Sequence, residues 1–286
     1  MGGVVTTAVR RAAAIATDLT CQVVGRRTVV RAARYVLSRA RLDYPNGMTV
    51  NGEPALQRWT LSLSSAGQQI HVADVGANVG LWSESMLAAA SHAGRDGDLR
   101  LHVFEPDLDA FGALARTLDG TSASLSNCAL SDQHGTSPFH VVAPGAGRNS
   151  LYPVPDAGPP QRSVVTITLD GYAEQAGVPA FALVKIDAEG HDLAVLRGAR
   201  GLLTGHRITV VQFEYNHRWI LGRFFLRDAF AFLAPLGYRI GKLTPRGVEF
   251  YPGWDADLET FVEGNYVACD PEAAAGLPAV SWWKSE

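Results

Sequence analysis

The chain has 286 residues, a formal net charge of -3 at pH 7 and 47% hydrophobic residues. This length accommodates one large domain with an appendage, or two small domains, and the acidic balance argues against a general nucleic-acid binder. The three cysteines, Cys21, Cys128 and Cys269, are scattered without a paired spacing, which disfavours a disulfide framework and a thiolate metal site and favours a reducing, cytoplasmic setting.

The first 42 residues have the pattern of basic helices. Apolar residues recur at helical spacing from Ala8 to Leu19 and from Val29 to Leu37, and Gly25 separates the two runs. The region holds eight arginines and one acidic residue, Asp18. We expect residues 1–50 to form a helical extension that acts as a cap or an oligomerisation arm, for example in a homodimer.

The alternative for this extension is a basic helix lying at an interface, with weak contact to a membrane surface or a lipid-linked substrate. A spanning helix needs about 18 consecutive apolar residues, and the chain has no such run. The N-terminus also lacks the order of features that a secretory signal shows. We therefore expect no transmembrane segment.

From about residue 68 onward, short apolar runs alternate with helical stretches. This alternation is typical of a mainly parallel sheet covered by helices on both faces. The predicted strands are residues 70–76, 99–106, 124–130, 181–187, 208–215, 238–243 and 265–270.

Residues 134–169 interrupt this rhythm. Two β-rich pieces, GTSPFHVV and RSVVTITL, flank the Pro/Gly-rich segment PGAGRNSLYPVPDAGPP. This pattern predicts an antiparallel β-hairpin with a long loop, inserted between the third and fourth main strands.

The stretch VADVGANVG, residues 72–80, places a glycine-rich turn between the first predicted strand and a helix. Ligands of parallel α/β sheets bind at this edge. The spacing differs from the dinucleotide fingerprint GxGxxG, and no GK[ST] follows as in a Walker loop. Asp74, Gly76, Asn78 and Gly80 instead form DxGxNxG, in which the acid can meet an ammonium group and the glycines admit an amino-acid moiety. This arrangement suits the methionine part of S-adenosylmethionine.

Glu105 ends the next predicted strand, where a carboxylate can accept both hydroxyls of a ribose. The alternative is that Glu105 only caps the helix that follows. Pro106 and the segment NCALSD, which includes Asn127 and Ala129, are then placed to line an adenine slot.

With these motifs, the sequence resembles the FkbM family of S-adenosylmethionine-dependent methyltransferases from about residue 71 to residue 270. The most specific match is KIDAEGHDLAVLRGA, in which Asp192 replaces the more usual Glu. Further matches are VADVGANVGLWS, HVFEPD, NCALSDQHGT, NSL, TITLDGY and QFEYN.

The resemblance implies a class I methyltransferase fold in residues 51–286, with a Rossmann-like sheet of seven strands of which the last is antiparallel. It also implies S-adenosylmethionine as cofactor and methyl transfer to a hydroxyl. The acceptor would be a small molecule, a saccharide, a glycolipid or a secondary metabolite.

Methyl transfer from a sulfonium is an in-line displacement, so the acceptor oxygen must be aligned and must lose its proton. Candidates follow the fourth and fifth strands. We expect His191 to be the base, with Asp187 or Glu214 orienting it and His217 as the reserve candidate. The alternative is that His191 only occupies the first turn of a helix. Glu189 and Asn216 are expected to contact the acceptor.

A second interpretation of the carboxylates is a hard divalent cation such as magnesium, held by Asp187, Glu189 and Glu214. Spacing alone does not show that these three side chains converge, so we favour the metal-free interpretation. For Glu189, a charge that complements a helix N-terminus is the simpler explanation.

The long loop of the inserted hairpin carries Arg148, Asn149, Ser150 and Tyr152. We expect it to act as a lid that reads polar groups of the acceptor.

Two other functions compete with an O-methyltransferase. One is an NAD-dependent oxidoreductase on a Rossmann sheet, which the missing middle glycine disfavours. The other is a non-catalytic scaffold that binds S-adenosylmethionine.

Overall fold

The computed structural model describes residues 2–154 and 158–285, and the side chains from residue 7 onward. Residues 155–157 of the predicted long loop therefore lie outside the described residues. The chain divides into two compact units, Met1–Tyr44 and Pro45–Glu286. Among the described residues, no helix is both long and apolar enough to cross a membrane.

The N-terminal unit consists of two helices, α1 (Gly2–Val24) and α2 (Arg26–Ala40). Gly25 separates them with a φ of 85°, a backbone conformation that favours glycine over residues with a side chain. The predicted pair of helices and the predicted break at Gly25 are confirmed.

In the second unit, helices cover both faces of a central sheet. The helices are α3 (Glu53–Leu63), α4 (Leu81–His92), α5 (Leu108–Thr117), α6 (Leu169–Ala176), α7 (Asp192–Gly198), α8 (Arg200–Thr204), α9 (Leu226–Leu233) and α10 (Pro271–Gly276). The strands are β1 (Ile70–Val75), β2 (Leu99–Phe104), β3 (Ser124–Ser126), β4 (Ala129–Leu130), β5 (Gly135–Phe139), β6 (Arg162–Ile167), β7 (Phe181–Ile186), β8 (Ile208–Tyr215), β9 (Arg239–Thr244), β10 (Gly247–Phe250), β11 (Gly264–Cys269) and β12 (Ala279–Val280).

The central sheet has the order β12-β10-β9-β11-β8-β7-β1-β2-β3. Strands β3, β2, β1, β7 and β8 pair in parallel, and β11 is antiparallel to both of its neighbours, β8 and β9. The seven predicted strands lie in this sheet, with the last one antiparallel. The predicted count of seven is too low for the described residues, because the short strands β10 and β12 extend one edge.

The predicted hairpin insertion is also present. Strands β5 and β6 pair in antiparallel fashion, and β4 adds to them in a separate three-stranded sheet. The predicted third strand thus divides: its first part, β3, stays in the central sheet, and its second part, β4, joins the insertion.

The core lies on both faces of the central sheet. Strands β1, β2 and β7 are buried at every position except the second. Continuous burial of this kind explains their nearly unbroken apolar sequences, because a two-sided strand has no solvent face. Each large aliphatic side chain buried there contributes about 1.5–3 kcal/mol. This packing holds the carboxyl ends of β1, β2, β7 and β8 at one edge.

Candidate functional site

The glycine-rich turn after β1 packs directly against the end of β7. Gly76 has a φ of 75°, and a Cβ at this position would lie 2.0 Å from the carbonyl oxygen of Asp187. The amides of Gly76 and Ala77 donate to the carbonyl of Phe104, at 2.9 and 3.1 Å. The turn therefore has no room for a side chain at residue 76, and it is tied to the ends of two neighbouring strands.

Gly80 has a different role from the predicted one. A Cβ there would lie 2.8 Å from the Leu114 side chain, so Gly80 permits α4 to pack against α5. It lines neither of the two cavities described below.

Glu105, directly after β2, links the glycine turn to the following loop. Its Oε2 accepts a 2.7 Å hydrogen bond from the amide of Asn78, and its Oε1 accepts one of 2.7 Å from the amide of Asp107. The side chain is 6% exposed, and burial raises its pKa to about 7. Asn127, a predicted adenine contact, donates from Nδ2 to the carbonyl of Glu105 at 2.8 Å and so holds the same loop.

A cavity, here called the first cavity, opens beside Glu105. The predicted residues Gly76, Asn78, Glu105, Pro106 and Ala129 line it. Its further walls are mostly apolar and come from Val75, Phe104, Ala110, Cys128, Leu130, Phe139 and Leu151.

Asp74 does not line either cavity. It is fully buried, accepts a 2.7 Å hydrogen bond from the hydroxyl of Ser83, and lies 3.3 Å from Nζ of Lys185. The ammonium group that Asp74 meets is therefore that of Lys185, within the protein. Burial lowers the pKa of Lys185, but Asp74, Asp187 and Glu53 outweigh it and raise the pKa above its ordinary value.

Asp187, at the end of β7, stands between the first cavity and a second one. Its Oδ2 lies 3.4 Å from Nζ of Lys185, and its side chain is 36% exposed. Oδ1 has no polar partner in the described part of the chain. Asp187, Gly76 and Asn78 line both cavities.

The second cavity is polar. Three carboxyl groups (Glu53, Asp187, Glu214), one ammonium group (Lys185) and three amides (Asn46, Asn78, Asn265) line it. Met48, Leu81 and Trp82 supply apolar surface beside them.

Glu214 follows the same sheet edge on β8 and is 6% exposed. Its Oε1 accepts a 2.7 Å hydrogen bond from Nδ2 of Asn46, and its Oε2 accepts one from Nδ2 of Asn216. Burial raises the pKa of Glu214 well above its usual range, and the charges of Asp187 and Asp192 add to this effect.

Asn46 and Glu53 belong to this site, although the sequence analysis did not single them out. Asn46 also accepts from Asn265, at 3.1 Å, and Glu53 accepts from Asn51 at 2.7 Å and from Gln212. Burial raises the pKa of Glu53. The segment DYPNGMTVNG before α3 carries the available signal, since a polar turn-forming run directly precedes an acidic helix start.

His191 lies in the first cavity, away from Glu214. Its Nε2 is 2.9 Å from the hydroxyl of Ser131, and its Nδ1 is 3.0 Å from the hydroxyl of Tyr152. The prediction that Asp187 or Glu214 orients this ring is wrong, because the two hydroxyls occupy both nitrogens. Burial lowers its pKa to about 4, against a smaller opposite effect of Asp132.

The other predicted polar residues after β7 and β8 are spread over different surroundings. Glu189 lines the first cavity and pairs with Arg218. Asn216 is 1% exposed and begins a short 3-10 helix by accepting from the amide of Arg218 at 2.8 Å. His217 is exposed and lines neither cavity.

The inserted loop covers part of the first cavity. Asn149 donates to a carboxylate oxygen of Asp107, and Ser150 donates to the carbonyl of Glu189 at 3.1 Å. Both line the cavity, whereas Arg148 is exposed and does not. Of the three predicted lid contacts, the structure places two at the cavity.

The predicted metal ligands are not gathered. Glu189 lines the first cavity and Glu214 the second, with Asp187 between them. In the described part of the chain, no group of three or more His, Cys, Asp or Glu side chains has the arrangement of a metal site.

Comparison with known proteins gives a family match. A family model described as a methyltransferase FkbM domain matches residues 74–240, more than half of the chain. A curated relative, the hexuronic acid methyltransferase AglP of Haloferax volcanii, is 29% identical over 155 residues, which are 53% of this chain. The alignment spans 59% of that relative's length.

Two solved structures are similar to the chain. Precorrin-6y C5,15-methyltransferase from Geobacter metallireducens is 14% identical, with a TM-score of 0.38 over 76% of this chain and 87% of its own. A SAM-dependent methyltransferase from Agrobacterium tumefaciens is 9% identical, with a TM-score of 0.40 over 77% of this chain and 62% of its own.

Proposed function

The chain belongs to the FkbM methyltransferase family, and on that premise we propose that it is an O-methyltransferase acting on a neutral, hydroxyl-bearing acceptor. Members of this family are S-adenosylmethionine-dependent, so the methyl donor is S-adenosylmethionine. The acceptor class that we propose is a saccharide, a glycolipid or a polyhydroxylated secondary metabolite.

The observation that carries the proposal is the pair of cavities that share Gly76, Asn78 and Asp187. A methyl transferase must bring a large donor and an acceptor together at one point and keep the reacting atoms in line. Two cavities of different chemistry with a common boundary meet this requirement. We assign the first cavity to the adenosyl part of the donor and the second cavity to the acceptor.

The residues of the first cavity fit the donor. Glu105 lines the cavity with a carboxylate that can accept ribose hydroxyls, and the apolar walls from Phe104, Ala129 and Leu130 suit a flat adenine ring. When bound, S-adenosylmethionine supplies an electrophilic methyl group. The strict need for glycine at residue 76 keeps the backbone open where the two cavities meet.

Asp187 is the residue to which we assign proton removal from the acceptor hydroxyl. Lys185 holds its Oδ2, and Oδ1 remains able to accept a proton. A sugar hydroxyl is far less acidic than a carboxyl group, so its proton leaves as the oxygen forms the new bond to the methyl carbon. Glu214 lies beside this point and can bind a neighbouring hydroxyl.

We propose a neutral acceptor because the second cavity is itself acidic. Its lining has three carboxyl groups and one ammonium group, and a carboxylate acceptor placed among them would meet like charges at short range. Amides and carboxylates together offer many acceptors and donors for a polyol. The curated relative is named for a hexuronic acid, which is anionic at neutral pH, so we expect the two acceptors to differ in charge.

The test is methyl transfer from isotopically labelled S-adenosylmethionine to paired acceptors, each a neutral glycoside and the uronic acid of the same ring configuration. We expect labelled product with at least one neutral glycoside, as a base-stable methyl ether, and at least tenfold less with its uronic acid partner. A base-labile methyl ester from the uronic acid, with no ether from its partner, would refute the proposed acceptor class.

Variants at the boundary decide between an enzyme and a binding scaffold. Asp187→Asn removes the proton acceptor and preserves the shape of the side chain. As a matched control, Asp119→Asn makes the same change at an exposed residue that lines neither cavity. If neither variant alters turnover, the assignment of Asp187 is wrong. If the wild type binds S-adenosylhomocysteine but methylates no hydroxyl compound, the proposal of an O-methyltransferase is wrong.

A further inference from the structure

The N-terminal unit has apolar side chains that nothing in the described structure buries. In α1, Ala8, Ala12, Ile15, Leu19 and Val23 follow one another at intervals of three or four residues, so they share one face of the helix. Ile15, Leu19 and Val23 are 53%, 56% and 84% exposed. The α1 face is therefore continuous, apolar and open.

Helix α2 has the same two-sided pattern with more charge. Val30, Ala33 and Leu37 lie on one face, and Val30 and Leu37 are about half exposed. Arg27, Arg31 and Arg34 lie on the opposite face at helical spacing. The helix thus presents aliphatic groups on one side and guanidinium groups on the other.

The charge of the unit selects the partner. Residues 1–44 contain eight arginines against two acidic residues, Asp18 and Asp43, in a chain whose formal net charge is -3. An anionic bilayer complements both features at once, because its phosphate groups pair with arginine and its acyl boundary takes up aliphatic side chains. A second copy of the unit would bring like charges together, and a nucleic acid offers no apolar layer for Ile15 and Leu19.

We propose that α1 and α2 bind flat on the surface of an anionic lipid bilayer. The apolar faces lie at the boundary between headgroups and acyl chains, and the arginines contact lipid phosphates. Binding of this kind concentrates the enzyme at a membrane surface, where lipid-linked acceptors are found. The proposal concerns residues 7–41 and does not depend on which acceptor the second cavity takes.

The experiment is co-sedimentation of the full chain with vesicles of phosphatidylcholine alone and of phosphatidylcholine with 30% phosphatidylglycerol. We expect binding to the anionic vesicles at least tenfold tighter than to the neutral ones, and weaker binding at high salt, since salt screens the arginine contribution. Equal binding to both vesicles, or none to either, would overturn the proposal.

Two sets of variants separate charge from insertion. The triple change R27S/R31S/R34S should weaken binding to anionic vesicles at least tenfold, whereas R27K/R31K/R34K, which keeps the charge, should stay within about threefold of the wild type. I15S/L19S keeps every charge and should also weaken binding at least tenfold, because the inserted apolar area is lost. Three exposed arginines of the second unit provide the matched control, R58S/R116S/R246S, which should bind like the wild type.

The rival partners give different results in the same series. If a second copy covers these helices, the chain will be dimeric in solution without lipid, and I15S/L19S will make it monomeric. If the partner is nucleic acid, duplex RNA will bind the chain and I15S/L19S will have no effect. Either result, together with unchanged sedimentation with vesicles, would overturn the proposal. Circular dichroism of each variant shows whether helix content is retained.

Discussion

The two cavities that meet at Asp187 are built from different chemistry. The first has mostly apolar walls around one buried carboxyl group, Glu105, which two backbone amides already hold in place. The second has three carboxyl groups, an ammonium group and three amides. The first is suited to hold one molecule of fixed shape, and the second is suited to bind hydroxyl groups and remove a proton.

The cavities also differ in where their residues come from. The first is made largely from the ends of β1, β2 and β4 and from the inserted loop. The second combines the ends of β7, β8 and β11 with the segment before α3. If each cavity has the separate role proposed above, substitutions should divide into those that affect the donor, those that affect the acceptor and those that affect both.

The largest effect is expected at the shared boundary. Gly76→Ala should reduce turnover at least about 10³-fold and weaken donor binding as well, because the new methyl group would overlap the carbonyl oxygen of Asp187. Gly94→Ala is a matched control, since Gly94 also has a positive φ, 65°, but no atom lies within 4 Å of the added Cβ. We expect it to cost about 1 kcal/mol of stability and no activity. Equal activity losses in both variants would show that backbone strain, rather than the shared boundary, is responsible.

Asp187→Asn should produce the next largest effect and should separate chemistry from binding. We expect kcat to fall about 10²- to 10⁴-fold, the range that general base catalysis contributes, with the Kd for S-adenosylhomocysteine within about threefold of the wild type. Rapid-quench kinetics and calorimetry measure the two quantities. A variant with normal kcat and weak donor binding would move Asp187 from acid–base chemistry to donor binding.

Glu105→Gln should affect the donor alone. Loss of a charge-assisted hydrogen bond costs about 1.5–3 kcal/mol, so the Kd for S-adenosylhomocysteine should rise about 10- to 100-fold, while kcat at saturating donor changes little. In the wild type, donor affinity should also fall as the pH drops below about 7, because Glu105 then takes up a proton and loses its charge.

Glu214→Gln should alter the pH dependence of the acceptor side. The raised pKa of Glu214 means that its proton persists to higher pH than on an ordinary carboxyl group, so kcat/KM should fall as the pH is lowered through that value. In the variant this step should vanish and kcat/KM for the acceptor should fall about tenfold at its optimum. A step that remains unchanged in the variant would exclude Glu214 as its origin.

The smallest effect on activity is expected at His191, which supports the loop. His191→Asn should raise the KM for the donor less than tenfold and leave kcat nearly unchanged, since both ring nitrogens contact protein hydroxyls. The stability effect has a defined sign. The unfolded chain takes up this proton near pH 6.5 and the folded chain only near pH 4, so the wild type loses stability as the pH falls from about 6.5 to 4. Thermal unfolding should show less of this loss in the variant, and a kcat decrease of 10²-fold or more would restore His191 as a base.

Much of the donor side could be predicted from the sequence because its signals are local. The glycine turn, Glu105 and Ala129 each follow a strand, and strand ends of a parallel sheet meet at one edge. Gly76, Asn78, Glu105, Pro106 and Ala129 accordingly line one cavity. Asp74 was harder to place, because a strand-end acid can face the ligand or turn inward to a lysine, and the distance to Lys185 decides.

The acceptor side and the loop depend on contacts that sequence spacing does not encode. Asn46 lies 168 residues before its partner Glu214, and Tyr152 lies 39 residues before His191. The role expected for His191 failed for this reason, since its surroundings are set by the inserted loop. Strands β10 and β12 were missed because runs of four and two residues carry almost no periodicity.

The division between the two cavities is tested most directly by titrating S-adenosylhomocysteine into wild type, Glu105→Gln and Asn46→Ala. Asn46 lines the second cavity and lies outside the first. The assignment predicts that Glu105→Gln weakens binding of S-adenosylhomocysteine at least tenfold, while Asn46→Ala stays within about twofold and raises the KM of the acceptor instead. Strong loss of S-adenosylhomocysteine binding in Asn46→Ala, with normal binding in Glu105→Gln, would contradict the assignment of the first cavity to the donor.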